Sequence, residues 1–184
     1  MKVNINNIFP DVITIENNSF EDSRGSFYKV FEDAQFLELG VDFKIKQINI
    51  SNTETKGTFR GLHFQYPPYS EIKGIQCISG EVLDVFVDLR INSKTYLKHG
   101  FERLSLDKKQ ILLLPKGFAH GFITLTDKVS LLYLHDQAYV SGSEGGLNIY
   151  DPALNIKLPE EIKILSDRDK NHPFINDNFN GIKI

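Results

Sequence analysis

The stretch from Lys56 to Pro68 places an arginine and a histidine, Arg60 and His63, on a strand-like run between a glycine turn and a proline pair. Metal sites in all-β domains often use a His-x-His pair, but here Gln65 stands where the second histidine would be. The stretch therefore does not favour a metal site. If His63 does chemistry, that chemistry is proton transfer. The plain alternative is a partly buried histidine satisfied by one backbone group.

Further polar side chains lie within or beside apolar runs, namely Lys73, His120 and Tyr133. Each alone is ordinary, because strand lysines mostly reach water, a histidine can cap a turn, and a tyrosine that ends a strand often keeps a wet hydroxyl. Taken together with Arg24, Arg60 and Asp84, they predict a site with cationic donors for an anion, one base and one phenolic acid.

Composition limits the classes of protein that this chain can represent. Its 184 residues are 41% hydrophobic and 24% charged, so we expect one globular domain over residues 1–184. The net charge of −3 gives no reason to expect nucleic acid or a membrane surface as partner. Cys77 has no second cysteine to pair with, and neither a signal peptide nor a membrane-spanning run of about 20 apolar residues is evident. We therefore expect a cytoplasmic protein.

The elements that must position these side chains are mostly strands. Short runs rich in Val, Ile, Phe, Leu or Tyr, bounded by turn residues, predict an all-β sandwich or barrel. The predicted strands are Phe27–Phe31, Lys46–Ser51, Ile72–Ile78, Glu81–Leu89, Phe101–Leu106, Gln110–Leu114 and Val129–Tyr133. Turn signals around Ser79-Gly80 and Lys116-Gly117 predict tight connections between antiparallel strands.

Residues 81–90, EVLDVFVDLR, show the clearest strand alternation. One face of this strand would form core, and the other would carry Asp84 and Asp88. Helix is predicted only for Asp33 to Gly40 and for a turn near PEEIKIL, residues 159–165. From Asn171 onward a polar, Asn- and Asp-rich tail is expected to lie on the surface.

Six segments in order carry a family resemblance: FEDSRGSF, INISNTETKGTFRGLHFQYPP, VDLRINSKTY, LLLPKGFAHGF, GLNIYDPALNIKLP and ILSDRDKNHP. Between about Phe20 and Pro173 the chain resembles the dTDP-4-dehydrorhamnose 3,5-epimerase family. The resemblance implies a cupin-like jelly-roll fold, a homodimer in which the N-terminal segment crosses to the partner, and a nucleotide-diphosphate-linked 4-keto sugar as substrate. It also implies that no metal or other cofactor is used.

The resemblance also implies roles for individual residues. His63 would be the base that removes a proton beside the sugar ketone, and Asp169 would orient its ring. Tyr133 would be the facing acid, and Lys73 would stabilise the enolate oxygen. The implied substrate-binding residues are Arg24, Phe27, Lys29, Gln47, Arg60, Asp84, His120 and Tyr139.

The sequence departs from the family pattern at the nucleobase position. Members commonly carry a glutamate where this chain has Lys29, and a lysine can only donate a hydrogen bond, which would suit an acceptor on cytosine. A solvated lysine, with recognition by other groups, is the alternative. Ile149 and Leu158 replace tryptophans that the family often carries, which leaves the identity of the sugar open.

Several functions remain open on the sequence alone. They are inversion at both C3 and C5, inversion at one carbon of a CDP- or GDP-linked sugar, and a carbohydrate-binding jelly roll without catalysis. A binding module would have no need to keep His63, Tyr133, Lys73 and Asp169 together. A metal-dependent cupin oxygenase or isomerase is a further alternative, which metal analysis would test.

Overall fold

The computed structural model describes residues 2–184, and short strands dominate it. The strands are β1 (Lys2–Ile5), β2 (Ile13–Glu16), β3 (Ser19–Asp22), β4 (Gly25–Tyr28), β5 (Gln47–Thr53), β6 (Thr58–Gln65), β7 (Lys73–Ser79), β8 (Glu81–Asp88), β9 (His99–Ser105), β10 (Gln110–Leu114), β11 (Phe118–Thr124), β12 (Val129–His135), β13 (Glu144–Gly146) and β14 (Ile164–Leu165). The helices are α1 (Asp33–Glu38) and α2 (Asp167–Lys170). The prediction of an all-β fold is confirmed.

The strands form two large sheets. The first sheet has the order β1-β2-β10-β7-β12-β5, and the second has the order β13-β6-β11-β8-β9. The neighbours within these orders are antiparallel, whereas β14 adds to β6 in parallel. Strands β3 and β4 form a separate hairpin. A cluster of buried apolar side chains from both sheets, including Phe86, Phe122 and Leu131, fills the space between them. The architecture is therefore a sandwich.

The turns at Ser79-Gly80 and Lys116-Gly117 are tight, but they do not join paired strands. The first leads from β7 in the first sheet to β8 in the second, and the other leads from β10 in the first to β11 in the second. The predicted connections are tight, but the prediction that they join antiparallel neighbours is wrong. Turn residues specify where the chain reverses, whereas the pairing partner is decided by packing of the whole sandwich.

Strand β8 is buried on both faces. The face with Asp84 and Asp88 points into the sandwich beside Phe86, and the opposite face, with Val85 and Val87, packs in a second apolar cluster. The prediction of one core face and a separate aspartate face is wrong. Residues after β12 cover the face with Val85 and Val87. The two aspartates lie on the other face, inside the sandwich, where a carboxylate needs hydrogen-bond partners from the protein.

The C-terminal segment supplies part of that cover. Ile182 is buried, and its backbone N–H donates to the carbonyl oxygen of Leu89. The tail from Asn171 is thus not merely a polar surface segment, because Ile175 and Phe179 also pack against the second cluster. The helix predicted near residues 159–165 is wrong too, since β14 forms there and the helix begins at Asp167.

Other element bounds agree more closely with the sequence. The predicted helix from Asp33 is α1, and Gln110–Leu114 is β10 as predicted. The predicted strand Phe27–Phe31 lies mostly after β4, which begins and ends earlier. Within residues 2–184, no helix is long and apolar enough to cross a membrane.

Candidate functional site

A cavity of about 920 Å³ has walls from both sheets. Most of the residues that the sequence singled out line it: Gln47, Arg60, His63, Lys73, His120, Tyr133, Tyr139 and Asp169. Asp84 lies behind this wall and accepts a hydrogen bond from His120. Residues spread over more than 120 positions of sequence thus converge on one cavity, which is a common property of a ligand-binding site.

His63 and Asp169 form a hydrogen-bonded pair in this cavity. The distance from His63 Nε2 to Asp169 Oδ1 is 2.7 Å, and the side chains are 28% and 5% exposed. Because Nε2 is directed at the carboxylate, Nδ1 is the ring nitrogen left to accept a proton. Burial alone would raise the pKa of Asp169, but the hydrogen bond and charge of His63 and the Gly61 N–H hold it below its ordinary value.

Local sequence explains how Asp169 is held. Ser166 is the N-cap of α2, and its hydroxyl accepts a hydrogen bond from the Asp169 N–H at 3.1 Å. Strand β14 ends one residue earlier and is paired with the start of β6. The second carboxylate oxygen, Oδ2, accepts the Gly61 N–H at 3.2 Å. The carboxylate is therefore fixed by the strand that carries His63 as well as by its own helix.

Two glycines allow β6 and β11 to approach closely beside the pair. Gly61 has a φ of +128°, and a Cβ there would lie 2.5 Å from the Cα of Gly121. A side chain at Gly61 is therefore excluded by both conformation and space. The close approach places His63 opposite His120 in the strand register. Both histidines consequently reach the same cavity.

Tyr133 enters from the first sheet, on β12, whereas His63 enters from the second. The Tyr133 ring packs edge-on against the His120 ring, with the ring centroids 5.9 Å apart. His120 Nε2 lies 2.7 Å from Asp84 Oδ2. Burial raises the pKa of the Tyr133 phenol, and the charge of Asp84 adds to this effect. Tyr133 therefore keeps its proton at neutral pH and can donate it. Burial also raises the pKa of Asp84, against the opposing effect of His120.

Lys73 connects the two sheets at the cavity wall. Its Nζ donates to the backbone oxygen of His63 at 3.3 Å and lies 3.1 Å from Glu71 Oε1. The other Glu71 oxygen lies 2.9 Å from His135 Nδ1. Burial alone would raise the pKa of Glu71, but His135 and Lys73 together hold it below its ordinary value. This arrangement places a buried cation within the cavity wall.

Gln47, Tyr139 and Arg60 lie at more open positions of the cavity. Gln47 Oε1 accepts the backbone N–H of Tyr139 at 2.9 Å, which fixes the loop after β12 against β5. Arg60 is exposed, and its guanidinium donates to the carbonyl oxygen of Asn52 at 3.2 Å. These three side chains therefore line the outer part of the cavity.

Arg24, Phe27 and Lys29 are not brought to this cavity within one chain. Arg24 and Phe27 lie on the exposed β3–β4 hairpin, where Phe27 is 73% exposed and the Arg24 side chain pairs with Asp22. Lys29 pairs with Glu32 at 2.6 Å. The structure of a single chain thus separates these three predicted substrate-binding residues from His63.

Sequence reasoning missed several residues that contact the predicted site. Glu71 and His135 each stand two positions from a predicted site residue, Lys73 and Tyr133, and strand alternation places residues two apart on one face. That periodicity could have found His135. His172 lies 3.6 Å from the Asp169 carboxylate and stands three positions after it. Helical spacing beyond Asp169 was the available signal for His172.

The sequence profile described as dTDP-4-dehydrorhamnose 3,5-epimerase matches residues 6–177. The chain belongs to this family. A dTDP-4-dehydrorhamnose 3,5-epimerase of Shigella flexneri is 40% identical over 163 residues, covering 88% of this chain and 90% of the relative. A dTDP-4-dehydro-6-deoxyglucose 3-epimerase of Streptomyces bikiniensis is 34% identical over 154 residues, covering 83% and 78%. The chain is therefore similar to a relative named for inversion at C3 and C5 and to one named for inversion at C3.

Solved structures of the epimerase family agree with the fold. A Bacillus anthracis dTDP-4-dehydrorhamnose 3,5-epimerase with TDP and PPi bound has a TM-score of 0.90 at 36% identity, covering 95% of this chain and all of that one. A Legionella pneumophila dTDP-6-deoxy-D-glucose-3,5-epimerase in complex with dTDP-4-keto-L-rhamnose has a TM-score of 0.87 at 33% identity, covering 94% and 93%. The predicted jelly-roll fold and the predicted family are confirmed.

Proposed function

We propose that this epimerase family member inverts C3, C5 or both carbons of a dTDP-linked 4-keto-6-deoxy sugar. The observation that carries the proposal is the placement of His63, which is paired with a carboxylate, and the phenol of Tyr133 on opposite sheets around one cavity. Inversion requires removal of a proton from one face of the sugar and delivery to the other. His63 and Tyr133 supply these two groups.

The base is His63. Its Nδ1 accepts the proton from the carbon beside the ketone, and Asp169 stabilises the imidazolium that forms. The electron pair of the broken C–H bond moves into the ketone and forms an enolate. Asp169 supports this role because it already binds the opposite ring nitrogen at 2.7 Å. The proton on His63 later returns to solvent, which resets the base.

Lys73 stabilises the enolate oxygen. A cation gives more stabilisation to the charged enolate than to the neutral ketone, so it lowers the barrier and does not merely tighten binding. Its contact with the His63 backbone and its pairing with Glu71 fix the ammonium group beside the base. Tyr133 then protonates the opposite face of the carbon and is itself reprotonated from solvent.

Arg60 and His120 bind the diphosphate or sugar, with Gln47 and Tyr139 at the outer part of the cavity and Asp84 orienting His120. The guanidinium of Arg60 suits phosphate oxygens, which it can bind in a bidentate manner. The exposure of Arg60 supports this role, because the substrate would enter from that side.

We further propose that the chain forms a homodimer in which the N-terminal segment reaches the partner. Phe20 and Phe27 are 75% and 73% exposed on the β3–β4 hairpin. Exposure of two aromatic rings to water has a high cost in free energy. Burial against a second copy would remove this cost and bring Arg24, Phe27 and Lys29 to the partner's cavity. Sedimentation of the full chain tests the dimer.

Inversion at a single carbon is the second candidate. The relative of Streptomyces bikiniensis named for 3-epimerisation favours it, because a chain 34% identical to this one carries that name. The two outcomes differ in whether the acid reaches both carbons, and the residues around His63 serve either one.

The test incubates the protein with dTDP-4-keto-6-deoxyglucose in deuterated water and follows exchange at C3 and C5 by NMR. Exchange at either carbon is expected, and its position distinguishes single from double inversion. His63→Asn should abolish exchange at both carbons with thermal unfolding nearly unchanged, because asparagine cannot act as a base near neutral pH. Exchange by this variant at the wild-type rate would remove His63 from the mechanism.

A further inference from the structure

Within residues 2–184, His63, Asp169 and His172 form a compact group of potential metal ligands. His63 Nε2 lies 2.7 Å and His172 Nε2 lies 3.6 Å from the same carboxylate oxygen, Asp169 Oδ1. The three ligand atoms lie within 4.8 Å of one another. His172 Nε2 is buried and has no hydrogen-bond partner in the part of the chain that the structure describes. A buried ring nitrogen thus points at a carboxylate oxygen without forming a hydrogen bond to it.

These distances fit a tetrahedral transition-metal ion. Zinc binds histidine nitrogen and carboxylate oxygen at about 2.0–2.2 Å, so tetrahedral ligand atoms lie about 3.3 Å apart. The two observed separations, 2.7 and 3.6 Å, lie on either side of that value. Small side-chain movements would therefore admit the ion. Two histidines and one carboxylate, with the fourth position open, is also a ligand set that zinc uses in proteins.

The surroundings support such a site. Asp169 Oδ2 accepts the Gly61 N–H, which orients the carboxylate with Oδ1 toward both histidine rings. Gly146 lies next to the His172 ring, and a Cβ at this position would lie 2.1 Å from a ring carbon. The glycine therefore makes room for the His172 ring beside His63. Arg168 pairs with Glu144 nearby and not with Asp169.

We propose that His63, Asp169 and His172 bind Zn²⁺ or a similar divalent transition-metal ion, and that this ion switches off the base. The ion accepts the lone pair of His63 Nε2, and the proton displaced from Nε2 passes through water to Nδ1. No electron is transferred, and the ring remains neutral. Nδ1 then carries hydrogen and cannot accept a proton from a sugar. The inhibitory half of the inference rests on the proposed function, whereas binding of the ion does not.

His172 is the one proposed ligand to which the proposed mechanism assigns no role, so substitutions of His172 test the metal site. His172→Phe keeps a planar ring beside Gly146 but removes both nitrogens, and His172→Gln provides a second, polar variant. His99→Gln is the matched control, because His99 is on β9 and does not line the cavity. His99→Gln should keep the wild-type exchange rate without added metal, and the exchange rate of each His172 variant with metal is compared with the rate of the same variant without metal.

Binding is measured without substrate, on the full chain. Titration with Co²⁺ should give the visible absorption of a tetrahedral ion at one equivalent, and Zn²⁺ should displace it. Both His172 variants should bind Co²⁺ about 10-fold more weakly or worse, since even loss of a residue that only supports a ligand costs 10- to 100-fold. Equal binding by wild type and both variants, or no tetrahedral spectrum, would overturn the proposed site.

Inhibition is measured by deuterium exchange with and without Zn²⁺. Zinc should stop exchange in wild type and His99→Gln but not in His172→Phe, and a chelator should restore it, while dTDP affinity stays unchanged. Equal inhibition of wild type and His172→Phe would place the inhibitory ion elsewhere and overturn the switch. If Co²⁺ binds as described but metal-free protein shows no exchange, the proposed function fails and the metal site stands.

Discussion

Replacement of Asp169 by asparagine tests whether the carboxylate acts through His63. The side chain keeps its shape and still offers an oxygen to the Gly61 N–H, which Asp169 Oδ2 now binds at 3.2 Å. What it loses is the negative charge beside the imidazolium that forms during catalysis. Asp167→Asn is the matched control, since Asp167 lies on the same helix with its side chain 97% exposed.

The expected loss follows from the 2.7 Å contact between His63 Nε2 and the carboxylate. A hydrogen bond to a charged partner contributes about 1.5–3 kcal/mol, and about 1.4 kcal/mol corresponds to tenfold in rate. The charge alone therefore accounts for about 10- to 100-fold. An asparagine amide can also donate to Nε2, which would leave the hydrogen on Nδ1 and add to the loss. We expect exchange to slow by about 10²-fold or more.

The assay is deuterium exchange at C3 and C5 by NMR at neutral pH, with thermal unfolding and dTDP affinity measured on the same preparations. Asp169→Asn should lose exchange while it keeps nucleotide affinity, and Asp167→Asn should match wild type. An exchange rate for Asp169→Asn within about threefold of wild type would refute the reasoning, because Asp169 would then only support the fold.

Three further changes test other parts of the structure. Tyr133→Phe should reduce net inversion far more than deuterium exchange, because His63 can still remove the proton; equal losses would contradict a facing acid. Lys29→Glu should shift relative affinity toward dTDP over CDP by about 1–3 kcal/mol in calorimetry, and an unchanged ratio would mean a solvated Lys29. Burial would raise the pKa of Asp88, but hydrogen bonds, chiefly from Arg90, hold it below 3.8. Its stabilisation is therefore present above pH 3.8 and is lost as pH falls through the lower folded-state value. Asp88→Asn should lower the free energy of unfolding by about 3 kcal/mol at neutral pH and flatten its acid dependence, and an unchanged acid limb would contradict the pairing.

Sequence by itself predicted the strand-rich fold and eight of the residues that line the cavity. Alternating apolar runs such as β8 follow from the two-residue period of a strand, which is a local property of the chain. The motifs around His63, His120 and Asp169 are also local, so their residue types can be read without a structure. Family resemblance joined these motifs into one predicted site.

Only the tertiary structure decided which residues meet and which surfaces are buried. His63 and Asp169 are 106 positions apart, and their contact depends on β14 pairing with β6. The aspartates of β8 lie inside the sandwich because segments after β12 cover the other face of the strand. The residue pattern within β8 does not predict this cover. His172 reaches Asp169 because Gly146, on β13, leaves space for its ring. Periodicity within a segment is set by local backbone geometry, whereas these contacts depend on how distant segments pack together.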